Sequence, residues 1–127
     1  MTIVPAYAAL FACLFLVLSN RTIRARRSAR VAIGTGGDKI LERLSRVHAN
    51  FAEYVPFALI LIAFAEMRGI HHIVIHILCI ALLIGRSTHA WGVSKSAENF
   101  RFRVIGMILT IYTIAAAAFA NAVSYFL

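Results

Sequence analysis

Apolar residues fall into four blocks along the chain, at 3–18, 51–67, 70–85 and 104–127, with polar residues gathered between them. With its flanks added, each block reaches the length of about 20 residues that a helix needs to cross a bilayer. The second block extends upstream, because Ile40, Leu41, Leu44, Val47 and Phe51 continue a helical apolar stripe. The second helix is therefore predicted to start near Asp38, and not at the capping-box-like run Asn50-Phe51-Ala52-Glu53. Pro56 then lies inside that helix and should kink it or cost it a hydrogen bond. The clearest break is Gly34-Thr35-Gly36-Gly37-Asp38, where glycines let the backbone turn and Asp38 caps the second helix. It is not a phosphate loop, since no strand precedes it and the Walker spacing is absent. Glu66, Arg68 and Gly69 mark a second, short turn, and a polar stretch at 93–100 marks the last. The predicted architecture is all-α: a polytopic membrane four-helix bundle that uses residues 1–127 as one domain.

Composition supports this. The chain is 61% hydrophobic, against about 45–50% for a soluble domain, and its mean hydropathy is +0.84. The first block is not preceded by a basic stretch. Its charges come after it, at Arg21, Arg24, Arg26, Arg27 and Arg30. No small-residue cleavage site intervenes, so the block reads as a retained helix and not a signal peptide.

The formal charge of +8 invites a nucleic-acid partner, but its distribution argues for no nucleic acid. Eight of the thirteen basic residues lie between Arg21 and Arg46, four lie between Arg86 and Arg103, and Arg68 alone lies between the second and third helices. That is the positive-inside pattern, and it predicts cytoplasmic first and third loops with both termini outside. Anionic membrane lipids are natural neighbours of some of these arginines.

The candidate chemistry sits at that basic end. At about 100° per residue, Arg46, Asn50 and Glu53 share a face of the second helix, with Lys39 and Arg43 one and two turns earlier. Glu53 already lies within the apolar run, where an ionisable group is expensive and should face protein or a water-filled cavity. A structural Arg46–Glu53 pair that fixes helix register is the other reading. In the third helix Arg86 and His89 stand at i, i+3 on one face, and Trp91 suits the headgroup belt. Arg101 and Arg103 open the fourth helix about 200° apart, so only one of them can face a shared cleft. Arg101 aligns with Ile105, Ile108 and Tyr112, a stripe expected to look inward, while Arg103 snorkels to the interface. Cys13 and Cys79 are isolated packing residues. His71, His72 and His76 lack a carboxylate or cysteine partner, so no metal is expected.

The ends of the second, third and fourth helices thus gather many cations and one acid. A ligand with two carboxylates and one ammonium matches that set, because arginine forks carboxylates and Glu53 can take the ammonium. Glutathione is such a molecule.

The run Arg46-Val47-His48-Ala49-Asn50-Phe51-Ala52-Glu53-Tyr54-Val55-Pro56 closely resembles the second-helix signature of the MAPEG family, the membrane-associated proteins in eicosanoid and glutathione metabolism. Gly85-Arg86-x-x-His89 before the third loop is also similar, and so are the four helices in about this length. The glycine-rich loop and short tail resemble small bacterial members, which places the chain in a bacterial inner membrane. The resemblance implies a homotrimer with glutathione as co-substrate, bound between adjacent subunits near the cytoplasmic face. It implies that Arg46, Asn50 and Glu53 hold glutathione, with Tyr54, Arg86 and His89 beside it. An arginine at the start of the fourth helix, Arg101 or Arg103, would stabilise the thiolate. The second substrate would be a lipophilic electrophile or lipid hydroperoxide entering from the bilayer. Where several catalytic members carry a tyrosine, four residues after the histidine, this chain has Val93. Two other classes fit the same residues: a non-catalytic relative that binds lipid or a partner protein, and a small transporter built on the Arg46–Glu53 pair.

Overall fold

The computed structural model describes residues 2–94 and 99–126. They form four helices: α1 (Ile3–Ala29), α2 (Lys39–Met67), α3 (His72–Ser94) and α4 (Phe100–Phe126). No strand occurs among the described residues. Even the shortest helix, α3 with 23 residues, rises about 35 Å, which exceeds the roughly 30 Å of a hydrocarbon core. All four are long and apolar enough to cross a membrane. Residues 95–98 of the expected last loop lie outside the described residues.

The helix boundaries reflect local chemistry. Arg30 closes α1 in the left-handed conformation, φ 55°, and the Arg26 guanidinium donates to the Gly34 carbonyl at 2.8 Å. Asp38 then caps α2: its Oδ1 accepts from the backbone N–H groups of Ile40 at 2.8 Å and Leu41 at 2.9 Å. That cap fixes the start of α2 well before Asn50. α2 continues as a helix through Pro56, which costs it the hydrogen bond to the Ala52 carbonyl. Ala52, whose carbonyl the proline leaves without its helical donor, and Pro56 both lie on the exposed side of the helix. The lost bond therefore disturbs no packed contact.

Buried residues from all four helices form one cluster, with Phe11 and Leu18 of α1, Phe51 and Ile62 of α2, Ile75 and Leu82 of α3, and Ala117 of α4. α4 buries Gly106, Thr110, Thr113 and Ala117, a stripe of small residues at i, i+4, i+7 and i+11. Its large residues Ile105, Ile108 and Tyr112 are exposed, Tyr112 by 70%. This corrects the expectation that the Arg101 stripe looks inward. In a membrane, large apolar side chains lose nothing by facing lipid, whereas small ones let helices approach closely. Gly106 shows how closely: a Cβ there would lie 2.6 Å from both the Gly85 carbonyl oxygen and the His89 nitrogen.

Glu66, beside the expected short turn, has a further role as the anchor of α1. Its carboxylate accepts from the backbone N–H groups of Thr2 at 2.6 Å, Ile3 at 2.8 Å and Val4 at 2.9 Å. The unsatisfied first-turn donors and the positive end of the helix dipole favour an acid there.

Candidate functional site

α2 is placed by its Asp38 cap so that Lys39, Arg43, Arg46 and Asn50 point along one side. With Glu42, His89 and Val93 of α3, and Arg103 of α4, they line a cleft of about 410 Å³. The cleft opens at the end of the bundle that carries the glycine-rich loop. Two glycines set the register of its far wall. Gly106 brings α4 against α3 at His89. A Cβ on Gly92 would meet the Arg103 nitrogen at 2.8 Å. The chain is tied across this turn by Asn99 N–H to the Gly92 carbonyl at 3.1 Å and Arg103 N–H to the Asn99 carbonyl at 3.2 Å.

That register decides between the two arginines of α4. Arg103 stands three residues before Gly106, on the inward stripe, and lines the cleft. Arg101 belongs to the exposed stripe and does not. The rotation is opposite to the one expected from the apolar pattern.

Behind the cleft wall lies Arg86, 1% exposed. Its Nη2 donates to Asn50 Oδ1 and bonds His89 Nδ1 at 3.1 Å. Its Nη1 reaches Thr110 Oγ1 at 3.4 Å and Met107 Sδ at 3.6 Å. The Thr110 hydroxyl donates in turn to the Gly106 carbonyl at 2.8 Å. The Tyr54 ring lies 5.8 Å from the guanidinium carbon, within cation–π range. Arg86 thereby ties α2, α3 and α4 together at the depth of the site.

Of the sequence-predicted residues, the structure brings Arg46, Asn50, His89 and Arg103 together in the cleft, with Arg86 and Tyr54 packed behind. Glu53 sits deeper on α2 and is exposed on the single chain, so it faces neither the bundle nor this cleft. Val93, the position of the missing tyrosine, does line it. Glu42, Thr110 and Met107 are additions that the sequence reading lacks. The inward stripe of α4 is the available signal for Thr110, since it repeats small residues at helical spacing.

A helical bundle of membrane-spanning length with a basic, histidine-bearing cleft at one end defines the class: a polytopic membrane protein with a cationic cleft. The chain belongs to the MAPEG family, whose profile matches residues 4–123. It is 38% identical over 115 residues to the inner membrane protein YecN of Escherichia coli strain K12, covering 91% of this chain and 86% of that protein. YecN of Escherichia coli O6:H1 strain CFT073 matches to the same extent.

Proposed function

We propose that this chain is a glutathione-dependent transferase of the inner membrane, working as a homotrimer. The observation that carries the reading is the meeting of Arg103, Arg46, Asn50 and His89 in one cleft. Arg46 forks a glutathione carboxylate, while Asn50 and His89 donate to it. Arg103 stands where a thiolate needs a cation. Glu53, exposed on one chain yet within a span, calls for cover by another copy. In a trimer it would take the glutathione ammonium.

Deprotonation of the bound thiol would release a proton to water. The thiolate then attacks an electrophilic carbon, forms the C–S bond and expels the leaving group with its electron pair. With a lipid hydroperoxide, it attacks the terminal oxygen and breaks the O–O bond. This forms the sulfenic acid and expels the lipid alkoxide, which takes up a proton as the alcohol. The thiol of a second glutathione then displaces water from that sulfur to form the disulfide. The lipophilic substrate enters from the surrounding lipid.

Titration of glutathione into the purified protein, with the ultraviolet absorbance of the thiolate as readout, tests this. No saturable binding would refute it. A second reading, a non-catalytic family member that binds lipid or a partner protein, is favoured by Val93 in place of tyrosine. Binding without turnover of a generic electrophile would establish that one instead. The orientation is proposed from the twelve of thirteen basic residues in or beside the first and third loops. A reporter fused to the C-terminus should behave as periplasmic.

A further inference from the structure

Arg86 is buried, and among the described residues its partners are all uncharged. A guanidinium only donates hydrogen bonds. Both hydrogens of Nη2 are used, one on Asn50 Oδ1 and one toward His89 Nδ1. Those of Nη1 go to Thr110 and Met107, and Nε is buried without a partner.

These bonds constrain the cleft. Asparagine and neutral histidine each carry both a donor and an acceptor, and can turn either toward a ligand. Here Arg86 occupies both acceptors. Asn50 is left with its two amide hydrogens. His89 Nδ1 must keep its lone pair toward the guanidinium, so the ring hydrogen sits on Nε2. Both residues line the cleft, beside Arg46, which can only donate.

We propose that Arg86 is a positioning residue that sets the hydrogen-bond polarity of the cleft: by taking the acceptor atoms of Asn50 and His89, it turns this wall into donors that select a carboxylate. Among the described residues, a ligand hydroxyl or amide hydrogen meets at most the second lone pair of Asn50 Oδ1 on this part of the wall. Glu42, the acid lining the cleft, stands two turns of α2 away from Asn50, toward the loop. The identity of the ligand as glutathione rests on the transferase reading, but the polarity does not.

The test is nitrogen NMR of the full-length, ligand-free protein in micelles, with labelled histidine and His89 assigned by the signal lost in His89→Gln. The parent should show His89 with a bare Nδ1 and a protonated Nε2. Arg86→Lys, which keeps a donor, should retain that form. Arg86→Met, similar in length but uncharged, should give a mixture of tautomers and weaken glutathione binding roughly tenfold, as loss of hydrogen bonds to a charged group does. A hydrogen on Nδ1 of the parent overturns the proposal, even if Arg86→Met fails to fold. So does an Arg86→Met protein with unchanged histidine signals and affinity. A parent with a bare Nδ1 that binds no glutathione supports the polarity and refutes the transferase reading.

Discussion

The two ends of the bundle use polar residues in opposite ways. At the end where α1 begins, polar side chains are matched within the chain. Glu66 takes three backbone N–H groups of α1. Tyr7 and His76 share a 3.0 Å hydrogen bond. Asn121 donates to the Leu61 and Ala117 carbonyls at 2.8 Å each, and Arg68 donates to Ser124 at 3.3 Å while lying 5.8 Å from the Tyr125 ring. At the basic end, arginines line an open cleft, and among the described residues the buried Arg86 guanidinium is held by uncharged partners. The first arrangement holds helices together. The second also ties helices together through Arg86, but it does so with a charge, where neutral packing would serve stability as well. A buried cation that meets no acid among the described residues is a costly arrangement, and its place beside a cleft fits the ligand-binding proposal.

The contrast between the ends is largest at Arg103. A free thiol is only a few per cent ionised at neutral pH, and a neighbouring cation lowers its pKa by about one to three units. Arg103→Ala should therefore abolish the thiolate absorbance of bound glutathione and lower turnover by roughly tenfold or more, with binding retained. Arg101→Ala, on the exposed stripe, should do neither. The reverse pattern would mean that α4 is rotated from the observed packing.

Next come the residues proposed to grip the ligand. Arg46→Ala and Glu53→Gln should each weaken glutathione binding by about 1.5–3 kcal/mol, the range for hydrogen bonds to charged groups. The two should differ in one respect. Arg46 works within one chain's cleft, whereas Glu53 depends on a neighbouring copy, so only Glu53→Gln should also shift the oligomer distribution in light scattering. Two normally assembled variants that bind like the parent would remove the basic end from function.

Much of the fold is legible in the sequence because its signals are local. Asp38 after the glycine-rich turn announces the cap it makes, and the four apolar blocks are the four helices. The face of α4 is not legible in that way, for a physical reason. A soluble helix buries its large apolar residues, and on that rule Ile105, Ile108 and Tyr112 mark the inner face. Beside lipid the rule fails, and the inner face is Gly106, Thr110, Thr113 and Ala117. The site residues of α2 and α3 are legible as a spacing, since Arg46 and Asn50, like Arg86 and His89, sit one turn apart. Their division into a cleft wall and a buried layer is not, because it depends on how closely α3 and α4 approach. The role of Glu66 is hidden for a similar reason: its partners lie 62 to 64 residues away, beyond any sequence window.

The close approach of α3 and α4 can itself be tested. Gly106→Ala would place a methyl group 2.6 Å from the Gly85 carbonyl and the His89 nitrogen, and overpacking of this kind costs about 1–3 kcal/mol. Thermal unfolding in detergent should register the loss. Binding should fall as well, because separating α3 from α4 moves His89 away from Arg103 across the cleft and Arg86 away from Thr110. Lower stability with unchanged affinity would show that the site tolerates movement of its far wall.

The smallest effect belongs to the opposite end. Glu66→Gln keeps an acceptor near the first turn of α1 but loses the charge that suits a helix N-terminus, and one of its atoms becomes a donor facing donors. The cost should resemble that of a lost N-cap, about 0.5–2 kcal/mol. It should appear only in the thermal midpoint, because Glu66 lies at the far end of α2, several turns beyond Asn50 and Glu53. Glutathione affinity and thiolate absorbance should match the parent. If Glu66→Gln weakened binding as much as Arg46→Ala, the division between a structural end and a functional end would fail, and α1, the helix that Glu66 anchors, would have to be counted as part of the site.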